Sequence, residues 1–127
     1  TLAVGALGGI SLFVGAVGIL TIMTIAVTER TAEIGLLRAL GAERGQILLL
    51  FLGEAIVLAA VGGIGGLGLG VGVAWVLGLA LPALPVQISW DYLLAAEALA
   101  ALIGLLAGVL PARHAAGLDP LEALRVE

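Results

Sequence analysis

The 127-residue chain is 62% hydrophobic and only 11% charged, with a mean hydropathy of +1.29; so few polar side chains cannot clothe a water-soluble fold, and the bilayer is left as its solvent. A net charge of −4 sets nucleic acid aside as a partner, because phosphate binding needs a basic surface. Without cysteine there are no disulfides or thiolate sites, and without lysine there is no Gly-Lys-Ser/Thr phosphate loop, so the chain itself does not hold ATP in that way.

Residues 2–27 carry no charge. As a helix they reach about 39 Å at ~1.5 Å per residue, enough to cross a hydrocarbon core of roughly 30 Å with some tilt. Ser11, Thr21 and Thr24 interrupt this run and can each bond a carbonyl one turn back. Thr1 already lies against the apolar run, the only methionine is Met23, and no basic leader precedes the first span. These features read as a piece of a longer protein.

Residues 28–46 are the one long stretch unsuited to lipid. Glu29, Arg30, Glu33, Arg38, Glu43 and Arg44 mix both signs, while Ile34, Leu37 and Gly41 recur at helical spacing beside Leu36 and Leu40. The spacing predicts a short amphipathic helix of about three turns with Gly41 as its left-handed terminator, a surface suited to touching something at the membrane boundary.

Residues 46–81 are apolar apart from Glu54, and too long for one perpendicular crossing. The expectation is an interfacial elbow over the first turns and a span over 55–81. Gly62, Gly66 and Gly70 recur every fourth residue, echoed by Gly68 and Gly72. Interior glycine costs roughly 1 kcal/mol against alanine, a cost that a closely packed partner helix offsets.

Pro82 and Pro85 set an outer turn over 82–91, with Ser89 as the expected N-cap of a third span over 92–111 and Asp91 in its first turn. Trp75, Trp90 and Tyr92 suit an interfacial belt. The third span contains Glu97, Gly104 and Gly108, and Pro111 is expected to close or kink it. The tail, 112–127, is polar again.

All five arginines lie in 28–46 or in the tail. The positive-inside rule therefore makes both segments cytoplasmic, the proline turn external and Thr1 external. The fold class expected is an all-α membrane protein of three transmembrane helices, with a short cytoplasmic helix between the first and second. Glu54 and Glu97, the carboxylates within spans, raise the alternative of an intramembrane enzyme or proton-coupled carrier. They are expected near opposite faces, too far apart to act as an acid/base pair. His114 has no second histidine or cysteine to share a metal, so neither a metal nor a resident cofactor is expected. The run from Gly63 to Gly68 only approximates a dinucleotide loop and follows no soluble strand.

Glu29-Arg30-Thr31-Ala32-Glu33-Ile34-Gly35-Leu36-Leu37-Arg38-Ala39-Leu40-Gly41-Ala42, with Gln46-Ile47 and Phe51-Leu52-Gly53-Glu54-Ala55 after it, resembles the cytoplasmic loop of the FtsX-like permease family of ABC transporters. Gly104 to Gly108, Pro111-Ala112-Arg113, and the run Leu118-Asp119-Pro120-Leu121-Glu122-Ala123-Leu124-Arg125 resemble the closing signature of its MacB-like and lipoprotein-releasing branch. Gly53 departs from that pattern, where a larger apolar residue is usual. The resemblance covers essentially the whole chain and implies the last three of four transmembrane helices of such a permease. It further implies a coupling helix, at Glu29, Arg30, Glu33, Ile34, Gly35, Leu37 and Arg38, that docks on a separate or fused ATPase holding ATP and magnesium. It implies a second permease copy and a prokaryotic inner-membrane location. Helix-packing roles are expected for Gly62, Gly66, Gly70, Gly104 and Gly108, and signature roles for Pro111, Asp119, Pro120, Glu122 and Arg125. The work implied is efflux of drugs or peptides, or release of lipoproteins, by a subunit without catalysis of its own.

Overall fold

A computed structural model describes residues 2–125 as five helices: α1 (Leu2–Glu29), α2 (Thr31–Ala39), α3 (Arg44–Ala80), α4 (Trp90–Ala116) and α5 (Pro120–Arg125). The expected external position of Thr1 and the last two residues of the tail fall outside the described residues. α1, α3 and α4 are long and apolar enough to cross a membrane. Along α1, the hydroxyls of Ser11, Thr21 and Thr24 donate to the carbonyls four residues back at 2.9, 2.8 and 2.7 Å, which settles these polar groups without water.

α4 packs on both α3 and α1, which touch each other little. The α3–α4 seam is made of small residues on both helices. A Cβ at Gly104 would collide with Ala59 and come within 3.3 Å of the Ala55 carbonyl oxygen, and a Cβ at Gly108 would collide with Ala55. Two small-xxx-small pairs thus face each other, the arrangement that lets helix backbones approach in lipid. Gly62, Gly66 and Gly70 are not in this seam: each has open space where a side chain would stand. Their four-residue spacing matches the seam glycines, but the rotation of α3 turns Ala55 and Ala59, not this row, onto α4.

α3 runs unbroken from Arg44, so the expected elbow before residue 55 is absent. Its 37 residues extend about 55 Å at ~1.5 Å each, well beyond a hydrocarbon core. Phe51, Ala55 and Ala59 are buried along this first part, and that continuous packing favours a straight helix over a bend at the interface. α4 likewise continues through Pro111 to Ala116, with Gly117 as its C-cap. Pro111, Ala112, Ala115 and Ala116 are all buried, and their packing offsets the roughly 3 kcal/mol that an interior proline costs. At the other end Ser89 is the N-cap of α4 by position and extended backbone, but its side chain makes no capping bond. Trp75, Trp90 and Tyr92 are exposed near this turn.

The buried core lies at one end of the bundle. Met23 and Val27 of α1, Ile34 of α2, Ile47, Phe51 and Ala55 of α3, and Ala112, Ala115 and Ala116 of α4 form one cluster. Large apolar side chains elsewhere on α1, α3 and α4 are largely exposed, as lipid-facing side chains are.

Candidate functional site: the face of the short helix

α1 and α2 are almost one helix. Only Arg30 separates them, with φ −99° and ψ 16°, while its N–H still bonds the Ala26 carbonyl and its own carbonyl accepts from Ile34, both at 3.0 Å. The Thr31 hydroxyl lies against the carbonyls of Val27 and Thr28, 3.0 and 2.8 Å away. The joint is therefore bent but bonded on both sides.

The Arg30 side chain fastens that joint to α3. Its Nη1 donates to Glu54 Oε1 at 2.6 Å, its Nε donates to Glu33 Oε2 at 3.1 Å, and the guanidinium carbon stands 5.6 Å from the centroid of the Phe51 ring. Glu54, and secondarily Glu33, raise the Arg30 pKa above its ordinary value, so the cation stays charged at any physiological pH. Both members of the Arg30–Glu54 pair remain more than a third exposed. In water such a pair contributes about 0.2–1 kcal/mol; its importance here is the register it sets between two helices.

The far end of α2 is closed by a Schellman motif. The N–H of Ala42 bonds the Leu37 carbonyl at 3.0 Å and that of Gly41 bonds the Arg38 carbonyl at 3.1 Å, with Gly41 at φ +101°. A glycine is needed there, since a side chain would strain that backbone. Arg38 is half-buried and its Nη1 donates to the Ala42 carbonyl at 3.1 Å, so this cation fastens the turn. The first turn of α3 follows at once, with the Glu43 N–H donating to Gln46 Oε1 at 2.9 Å.

Between these two fastenings α2 divides into two faces. Ile34, 2% exposed, and Gly35 point inward, with Ile34 in the core beside Ile47 and Phe51. The expectation that Ile34 lies on an outward stripe with Leu37 is corrected: it anchors α2 to its own chain. The outward face carries Leu36, Leu37 and Leu40, 54%, 40% and 78% exposed, with Ala32, Glu33 and Ala39 around them, and Glu29 exposed just before the joint. The sequence signal for this face was the i, i+4 pair Leu36/Leu40, about 160° and about 120° from Ile34 on a helical wheel at ~100° per residue.

The closing signature builds a second short helix beside the first. Leu118 packs on the core. Asp119 Oδ1 accepts the Leu121 N–H at 2.9 Å, and Pro120 opens α5, the N-cap and first-turn proline combination that starts a helix sharply. α5 then packs against α2. Glu122 and Arg125 are exposed on it.

The two carboxylates within the spans do not meet. Glu54 is engaged by Arg30, whereas the Glu97 carboxylate lies against Gly63. Gly63 is nine residues beyond Glu54 on the same helix, about 13 Å at ~1.5 Å per residue. Glu97 Oε2 is buried without a hydrogen-bond partner among the described residues. Glu97 and Ser11 are the most polar groups lining an apolar groove of about 610 Å³ between α1, α3 and α4, where Gly62 and Gly66 also stand. Gly70 lines a smaller groove of about 260 Å³ near Ser89 and Tyr92. Among the described residues no cluster of acids and histidine could hold a metal.

The profile of the FtsX-like permease C-terminal family matches residues 5–120. The chain is 48% identical over its whole length to the ABC transporter permease YknZ of Bacillus subtilis, covering 32% of that protein. It is 49% identical, again over its whole length, to the macrolide export ATP-binding/permease protein MacB of Rhodospirillum rubrum, covering 19% of it. To the MacB 2 protein of Aeromonas hydrophila it is 43% identical, covering 20%. The chain thus spans a third or less of the length of these relatives.

Proposed function

The chain belongs to the FtsX-like permease family of ABC transporters, and on that premise we propose that α2 is the coupling helix on which a cytoplasmic ATPase acts. The observation that carries the reading is the exposed Leu36, Leu37 and Leu40 face on a helix otherwise fixed to its own bundle. A lever must offer a surface to its motor and hold firmly to what it moves. α2 is held by Ile34 in the core, by the Arg30–Glu54 pair and by two bonded turns. An apolar centre with Glu29 and Glu33 at its margin has the anatomy of a protein interface, in which leucines supply area and charges fix register.

In this reading the ATPase, as a separate subunit or a fused domain, binds ATP and magnesium, and the permease part performs no catalysis. A push on α2 passes along α1 through the Arg30 joint and along α3 through Glu54. The residue 28–46 loop and the C-terminus are cytoplasmic, in the inner membrane of a prokaryote, as the placement of all five arginines supports. A second permease copy and lipid cover the open faces of α1 and α3. The work driven outside is export of a drug or peptide, macrolides being the compounds named for the MacB relatives, or release of a lipoprotein. The test is co-purification of the ATPase with the full-length permease carrying Leu36→Asp and Leu40→Asp. Loss of the ATPase with normal membrane insertion is the expected result; full retention would remove the docking role.

A further inference from the structure

We infer that α5 is the second half of the ATPase-docking surface, so that the permease meets its motor with two helices, not one. This rests on the reading of α2 as the coupling helix. α5 is six residues long and packs chiefly against α2. It nevertheless exposes Leu121 and Leu124, 75% and 50% exposed, at the same end of the molecule as Leu36, Leu37 and Leu40. Its start is held on three counts: Leu118 packed on the core, Asp119 capping the Leu121 N–H, and Pro120 at the first helical position. A short helix fastened at its start, yet presenting leucines outward, is organised for contact.

Size favours two helices over one. A stable protein–protein interface takes roughly 20–30 residues a side and about 800 Å² per partner. α2 and its cap expose only Ala32, Glu33, Leu36, Leu37, Ala39 and Leu40. Leu121, Glu122, Leu124 and Arg125 enlarge that surface substantially. Lipid is the poorer occupant, because Glu33, Glu122 and Arg125 stand among these leucines and would have to enter hydrocarbon with them. The motor protein fits: it must grip α2, and α5 lies directly against α2. The closing Leu-Asp-Pro-Leu-Glu-Ala-Leu-Arg run then has a physical meaning, as the cap, start and contact face of this second helix.

A photo-crosslinking side chain placed singly at Leu36, Leu121, Leu124 and, as a control on the exposed face of α4, Arg113 tests this in the full-length permease assembled with its ATPase in lipid nanodiscs. Adducts with the ATPase from Leu36, Leu121 and Leu124, and a much lower yield from Arg113, are expected. ATPase adducts from Leu36 alone, with Leu121 and Leu124 joined to lipid, to a second permease copy or to nothing, would overturn the inference and leave α2 as the coupling helix. No ATPase adduct from Leu36 would overturn both. In parallel, Leu121→Glu with Leu124→Glu is expected to weaken ATPase binding about tenfold, the loss typical of apolar contacts at an interface centre. Unchanged affinity in that variant would count against α5.

Discussion

Arg30 and Glu54, twenty-four residues apart in sequence, meet at 2.6 Å and tie the α1–α2 joint to the side of α3. The same guanidinium holds Glu33 and lies over Phe51, so one side chain connects the short helix, the joint before it and the second long helix. Glu54→Gln is expected to leave ATPase binding intact and to lower transport and transport-linked ATP hydrolysis several-fold, with a stability loss of about 0.2–1 kcal/mol. Arg30→Gln should be worse than Glu54→Gln, because it also strands Glu33 and removes the charge over Phe51. Normal transport by the Arg30→Gln protein would show that the pair transmits nothing.

Ile34 and Leu36 are two residues apart and should behave oppositely. Ile34→Asp places a carboxylate among Phe51, Ile47 and Ala115, a burial without a counter-charge that costs about 3–5 kcal/mol. The expected outcome is poor yield and a lowered melting temperature in detergent. Leu36→Asp lies on the exposed face and should melt within a few degrees of the parent while losing the ATPase.

The small-residue positions divide in the same way. Gly104→Val and Gly108→Val drive side chains into Ala59 and Ala55 and should destabilise the bundle by about 1–3 kcal/mol or more. Gly66→Ala meets open space within this chain. In a permease where lipid alone covers that face it should stabilise by about 0.5–1 kcal/mol. A loss of dimer cross-linking instead would place another helix against the groove.

Gly63 and Glu97 form a testable pair. A Cβ at residue 63 would meet the flexible end of Glu97, so Gly63→Ala should perturb melting modestly through that one carboxylate. Combined with Glu97→Ala, the penalty should vanish, a coupling that a double-mutant cycle reads directly. Purely additive effects would mean that Glu97 does not rest on Gly63.

Much of this was legible in the residues themselves. Apolar runs of helical length marked three spans, and Gly41 marked the end of the short helix, because glycine suits its positive φ. What the sequence could not show was rotation. Ile34, Leu36 and Leu40 are equally apolar, and which of them turns inward depends on how the joint at Arg30 aims α2. Gly62, Gly66 and Gly70 repeat as regularly as the seam demands, yet it is Ala55 and Ala59 that α3 turns toward α4. Pro111 was expected to close or kink the third span, and buried alanines beyond it carry the helix on. The partner of Glu54 was present as Arg30, but nothing in a linear reading connects them.

The most direct measurement is labelling of single cysteines at Leu36 and Leu40 by a membrane-impermeant maleimide in inside-out vesicles, with and without the ATPase. Rapid labelling of both from the exposed cytoplasmic side, and strong protection when the ATPase is present, are expected. Labelling only from the opposite side, or labelling that the ATPase leaves unchanged, would contradict docking of the ATPase on α2.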